Sequence, residues 1–181
     1  MFIATALSKK ALPIVALFTV LLLGAACSSV SGGIKTPAKL PSGPSTLTSG
    51  QQVGGVAVSL DKQQLPPEVT EVAELYEVTR ILDNRVREQL TARGMTTDGK
   101  LEVKVDVIGM RLRSNGTAIW WGFMAGGDWI TVDVNVLKGG QSIKNFQTGT
   151  GTVLGGFIFG GRSTRVGRMM KTLAERIAEG V

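Results

Sequence analysis

Apolar positions along this chain follow three patterns, and each predicts a different kind of element. One is a nearly unbroken apolar run, Ala11 to Leu23. The second has helical period. Between Glu68 and Arg93, Val72, Leu75, Leu82, Val86 and Leu90 fall near one face. Acids (Glu68, Glu71, Glu74, Glu77) crowd the front of that helix and bases (Arg85, Arg87, Arg93) the back, as the macrodipole favours. Gly94 stands where a left-handed cap belongs. Ser163 to Glu179 has the same period, with an apolar stripe of Val166, Met169, Met170, Leu173 and Ile177 and a stop at Gly180. The third pattern is alternation. Leu101 to Arg113 sets Leu101, Val103, Val105 and Val107 against Glu102, Lys104 and Asp106. Trp129 to Leu137 repeats it with Ile130, Val132, Val134 and Val136. Lys138-Gly139-Gly140-Gln141 is then a hairpin turn, and Ser142 to Val153 the returning strand. Gln51 to Leu60 reads as a first strand, with a bulge or edge at Gly54-Gly55, before Leu65-Pro66-Pro67 interrupts. Strand, helix, three strands, helix predicts an α+β fold: a two-layer sandwich with a mainly antiparallel sheet of about four strands covered by two helices, order β-α-β-β-β-α.

The first run is shorter than the roughly 20 apolar residues that span a bilayer. Lys9 and Lys10 precede it, and Gly24, Ala25 and Ala26 close it before Cys27. A basic start, an apolar core and small residues make a cleavable secretory signal. Leu23-Gly24-Ala25-Ala26-Cys27 resembles the lipobox of bacterial lipoproteins, which implies cleavage before Cys27 and acylation of its thiol. Ser28 follows in place of the Asp that resembles an inner-membrane retention signal. The expectation is a protein of the cell envelope, anchored in the outer membrane through Cys27. Several acyl chains, at about 0.8 kcal/mol per buried methylene, make such an anchor stable.

This division sets the domains: signal over residues 1–26, a lipidated cysteine with a flexible tether over 27–50, and one α+β domain over 51–181. The tether is rich in Ser, Gly, Pro and Thr and poor in large apolar groups, so it cannot bury enough surface to order itself. Random-coil scaling gives it an end-to-end distance of roughly 25–30 Å. The net charge is +6, of which Lys9 and Lys10 account for two, leaving +4 on the mature chain. That is mildly basic and does not indicate a nucleic-acid binder.

Enzymatic motifs are missing. The chain has no His, which removes the commonest general base and metal ligand, and Cys27 is its one cysteine. Asp98, Asp106, Asp128 and Asp133 are expected at turns or on polar strand faces, which makes a carboxylate hydrolase the least favoured reading. No catalytic residue, metal or cofactor is expected. Asn115-Gly116-Thr117 reads as a turn.

Two features stand out. The first is a pair of Gly-rich aromatic segments, Ile119 to Gly127 and Val153 to Gly161, containing Trp120, Trp121, Phe123, Phe157 and Phe159. Loops are ordinarily polar. These either fold back over an open end of the core, or offer an apolar surface to a partner, to the membrane interface or to another copy of the chain. The second is Arg162, Arg165, Arg168 and Lys171, which open the last helix where cations oppose the dipole. Compensation is expected from Glu175, one turn after Lys171, or from an anionic partner, with Arg111 and Arg113 joining the patch. Outside the cell, lipid phosphate and acidic polysaccharide are the anions to consider.

The lipobox, the tether, a helix ending in Leu-Thr-Ala-Arg-Gly, the strand Leu-Glu-Val-Lys-Val-Asp-Val, a Gly-rich break and a final helix together resemble a family of uncharacterised bacterial lipoproteins, the domain-of-unknown-function 4410 type, over Val53 to Gly180. The resemblance implies no activity and no catalytic positions. The function expected is a non-enzymatic structural or accessory role. The protein would bind an envelope protein, lipid or polysaccharide through the aromatic segments and the basic patch. The alternative is a small-ligand or glycan-binding lipoprotein with Trp120, Trp121 and Trp129 as stacking surfaces.

Overall fold

A computed structural model describes residues 30–33, 52–95, 99–114, 126–152 and 161–181. The elements run β1 (Val30–Gly33), β2 (Val53–Leu60), α1 (Pro67–Leu75), α2 (Val78–Ala92), β3 (Leu101–Leu112), β4 (Asp128–Lys138), β5 (Gln141–Thr152) and α3 (Arg162–Gly180). They form a two-layer α+β sandwich in the expected order, with two additions.

β3 is the spine of the sheet. β4 pairs with one edge of it antiparallel, from Leu101↔Lys138 to Arg111↔Trp129, and β5 pairs with β4. Gly139 and Gly140 both take positive φ in the β4–β5 turn, which only glycine adopts without strain. The other edge of β3 is shared. β2 runs parallel along its first half, Val53↔Leu101 to Leu60↔Val107, with the expected bulge at Val53/Gly55. β1 runs antiparallel along its second half, from Val30↔Leu112 to Gly33↔Gly109.

β1 is the first addition. Its residues belong to the stretch expected to be tether, whose composition predicts no order. Position 32 explains how a four-residue strand is accommodated: a Cβ there would sit 2.3 Å from Cδ of Pro66, so only glycine lets β1 lie between β3 and the start of α1. The second addition is a break in the long helix expected over 68–93. Glu77 sits in the left-handed region at φ 49°, ending α1 and starting α2 in a new direction. Its carboxylate pairs with Arg80, whose guanidinium holds the Glu77 carboxyl below the usual range by hydrogen bond and charge. The break undoes the first half of the expected apolar stripe. Val69 and Ala73 are buried, Val72 is only half-buried, and Leu75 is 73% exposed. Pro67, expected to interrupt, opens α1 at its first turn, where its missing N–H costs nothing.

The core lies between the helices and one sheet face. Leu101, Val103, Val105 and Val107 of β3 and Ile130, Val132, Val134 and Val136 of β4 meet Leu82, Val86 and Leu90 of α2 and Val166, Met169, Met170, Leu173 and Ile177 of α3. A bulge at Val107/Gly109 shifts the phase of β3, so that Met110 and Leu112 continue its inward row. Gly94 adopts the expected left-handed cap at φ 68°. Among the described residues no helix is long and apolar enough to cross a membrane.

The left-handed break at Glu77 generates a testable difference. A non-glycine residue there costs about 1–2 kcal/mol in intrinsic conformation, more when β-branched. Glu77→Val is expected to lower stability by roughly 1–2 kcal/mol in urea unfolding, and Glu77→Gly to leave it within about 0.5 kcal/mol.

Candidate functional site

At one end of the sheet, three charged side chains are buried together. Asp128, the first residue of β4, is fully buried. Its Oδ1 accepts from the Arg113 backbone N–H at 2.7 Å and from Arg113 Nε at 3.2 Å. Its Oδ2 accepts from Arg165 Nε at 2.7 Å. Arg113 and Arg165 expose 0% and 1% of their surfaces. The Arg113 carbonyl is a second hub, accepting from Arg165 Nη2 at 2.7 Å and from Arg162 Nε at 3.0 Å.

Local structure explains the arrangement. Pairing between β3 and β4 runs out at Arg111↔Trp129. Beyond it the Arg113 N–H needs an acceptor, since a buried unpaired amide costs about as much as a lost hydrogen bond. The Asp128 carboxylate takes the place of a strand carbonyl and so finishes the ladder. Arg165 lies on the buried face of α3, beside Val166 and one turn before Met169. A cation in the first turns opposes the helix dipole by roughly 0.3–1 kcal/mol, and the ion pair with Asp128 offsets that. Arg162 is half-buried, and its guanidinium lies over the Tyr76 ring at 5.8 Å, so the turn between α1 and α2 is tied to the start of α3.

These residues sit at the roots of both Gly-rich aromatic segments. β3 leads into residues 115–125 through Arg113 and Ser114, and the chain returns through Gly126 to Asp128. β5 leads into 153–160, and the chain returns at Gly161 into α3. One ion cluster therefore fixes the exit and return of the first segment and the return of the second.

The expected site residues divide three ways. Trp120, Trp121, Phe123, Phe157 and Phe159, with the lipidation residue Cys27 and the Asn115 turn, lie outside the described residues. Arg168 and Lys171 are exposed on α3. Arg165 is not part of an exposed patch. It is buried, and its compensating anion is Asp128, in place of the Glu175 or external anion expected for this group. Asp128 likewise leaves the polar strand face on which it was placed. Phase explains both corrections. Asp128 is in step with Ile130, Val132, Val134 and Val136, and Arg165 lies one and two turns before Met169 and Leu173. A charge at an apolar-phase position is the mark of a buried pair, and that mark was legible. Arg113 carried no such mark, because it follows the phase-shifting bulge.

The remaining carboxylates do not converge with Asp128. Asp106 and Asp133 are register partners on the open sheet face, where Ser59 Oγ donates to Asp106 and Asn145 Nδ2 donates to Asp133 at 3.4 Å. Asp98 lies outside the described residues. Trp129 is half-buried on that open face. A shallow depression on α2, lined by Asn84, Arg87, Glu88, Thr91 and Ala92, contains one carboxylate. Among the described residues no cluster of three metal-ligating side chains occurs.

No family model and no curated protein matches the chain. Among solved structures it is similar to the PelC dodecamer from Paraburkholderia phytofirmans, at 13% identity and TM-score 0.38 over 83% of this chain and 98% of that one. It is similar to protein XCC0632 from Xanthomonas campestris, of the domain-of-unknown-function 330 type, at 7% identity and TM-score 0.45 over 84% and 93%. A candidate lipoprotein from Caulobacter crescentus matches at 12% identity and TM-score 0.33 over 56% and 80%. These descriptions name a lipoprotein and a domain of unknown function, and none of them names the 4410 type. Likenesses at this level carry no argument about what the chain does.

The cluster's energetics are testable. Removing one partner of a buried ion pair typically costs 3–5 kcal/mol, whereas replacing all members with apolar residues of similar volume is often neutral or better. Asp128→Asn is expected to lower the melting temperature by roughly 10–20 °C. The triple variant Arg113→Met/Asp128→Leu/Arg165→Met is expected to recover only part of that loss in thermal unfolding, because it removes the buried charges but leaves the Arg113 backbone N–H without its acceptor.

Proposed function

We propose that the chain is an envelope-anchored lipoprotein with a non-enzymatic, accessory role, and that it contacts another envelope component at the end of the domain bearing the Arg113–Asp128–Arg165 cluster. One observation carries the reading: buried ion pairs hold the roots of both Gly-rich aromatic segments at the same end of the sheet. Buried charge is costly to assemble and is weak evidence for stability in itself. Its directional bonds fix backbone position, which a contact surface needs and a simple chain reversal does not. The segments joined there bring two of the three Trp and three of the six Phe of the whole sequence. Aromatic residues are the favoured anchors of interfaces. The anchor in this reading is the acylated Cys27, and the membrane is the outer one.

The accessory reading is also the more economical one chemically. The chain has no His and no second Cys. Its buried carboxylate, Asp128, is engaged by two guanidiniums and a backbone N–H. A carboxylate held by donors on both oxygens is poorly placed to accept a proton from a substrate.

The test is crosslinking of the intact lipidated protein in its own cells, wild type beside Trp120→Ser/Trp121→Ser. A discrete crosslinked partner lost in the double variant is expected, with stability changed by no more than about 0.5 kcal/mol. A large loss of thermal stability would mean that these Trp residues close the core. No partner in either protein would favour ligand binding.

A further inference from the structure

The sheet ends on β5 at one side and on β2, in line with β1, at the other. Among the described residues β5 pairs only with β4, and β2 only with β3. An edge strand turns every second carbonyl and N–H away from its partner, in the plane of the sheet, where another chain can pair with them. On each side a helix packs over the edge strand, α3 over β5 and α2 over β2, and sends an arginine to one of its carbonyls. Arg176 of α3 donates from Nη1 to the Gly149 carbonyl of β5. Arg87 of α2 donates from Nη2 to the Val56 carbonyl of β2. Asp83, one turn before Arg87, holds that guanidinium at 2.7 Å from Nε and 3.2 Å from Nη2. A helix lies above the sheet, so its side chain reaches an in-plane carbonyl only by curling over the edge. Both arginines stand beside a buried residue of their helix, Arg87 after Val86 and Arg176 before Ile177, where the covered face gives way to the margin.

β5 is a strand that needs such a guard. Residues 141–152 contain no acid, no Pro and one charge, Lys144. Low charge and absent Pro mark segments that add to one another as strands. Gln141 to Gln147 are exposed or half-buried, with Ile143 at 48%, and this half carries two deterrents: Lys144 and the bulge between Val136 and Leu137 opposite it. The other half has neither, and its Gly149 and Gly151 offer no side chain to obstruct an incoming strand. Arg176 stands in that half.

We propose that Arg176 keeps β5 from pairing with β5 of a second copy of this chain, and that Arg87 guards β2 in the same way. A second copy is a matched neighbour for β5. Antiparallel pairing about a two-fold axis at Asn145 sets each Lys144 against the other copy's Phe146, so like charges do not meet, and Lys144 already lies 5.8 Å from its own Phe146 ring. The same register sets Gly149 against the other copy's Gln141. One Arg176 from each copy therefore blocks one end of the ladder, and together they block both.

The test is sedimentation equilibrium of the full mature protein in detergent micelles, in reducing buffer so that Cys27 forms no bond between copies. The readout is the self-association constant relative to wild type. Arg176→Met keeps the aliphatic stem and removes the donor, and is expected to raise that constant roughly tenfold, the worth of about one hydrogen bond. Adding Ile143→Lys on the exposed half of β5 is expected to restore the wild-type value. Adding Leu75→Lys, the same charge on α1 at a residue 73% exposed, is expected to leave the constant raised. If Arg176→Met does not fold, Arg176→Gln, two atoms shorter, replaces it with the same expectations. Arg87→Met is expected to raise the constant as well, and a wild-type value there would overturn the guard at β2. No rise on removing Arg176 would overturn the guard at β5. A rise that survives Ile143→Lys, or that Leu75→Lys suppresses equally, would overturn pairing through β5.

Discussion

The Asp128 carboxylate, shared between the Arg113 and Arg165 guanidiniums and the Arg113 backbone N–H, is the interaction on which one end of this fold depends. Everything that converges there is otherwise weakly held. Strand pairing has run out, the first turn of α3 has no side-chain cap, and two long Gly-rich segments leave and return. Apolar packing alone has little directional preference. A carboxylate with donors on both oxygens has a strong one. Arg162 extends the network to the Arg113 carbonyl and to the Tyr76 ring, so that the helix break at Glu77, the start of α3 and the end of β3 are positioned by one connected set of contacts.

Much of this architecture was legible in the order of residues. Alternation placed β3 and β4 within a residue or two, and the glycine pair placed the hairpin and with it the returning β5. The stripe of α3 was buried as its period required. The misreadings have particular causes. The break at Glu77 was hidden because Glu is an ordinary helix former and the apolar spacing carries across the interruption. β1 was hidden because its pairing depends on Pro66 and the β3 bulge, which composition does not register. Asp128 and Arg165 were set on the surface by residue type, although their phase already placed them inside. When charge and phase disagree at two positions of opposite sign, a buried pair is the physical resolution.

The same geometry changes what the N-terminal stretch does. A tether of more than twenty residues would separate the domain from its anchor. With β1 docked on β3, the start of that stretch is held at a particular end of the sheet, the end that bears the ion cluster and the roots of both aromatic segments. The account thus links one buried ion cluster to the positions at which both segments leave and rejoin the fold.

Native-state hydrogen exchange at the Arg113 amide tests the central claim most directly, because that N–H donates to the Asp128 carboxylate and not to a strand carbonyl. The account requires protection comparable to the paired amides in the middle of β3 and β4, such as Val105 and Val134, with exchange only on global unfolding. Exchange at Arg113 as fast as at the exposed hairpin amides, while Val105 and Val134 stay protected, would mean that the end of the sheet opens locally and that the ion cluster does not hold it.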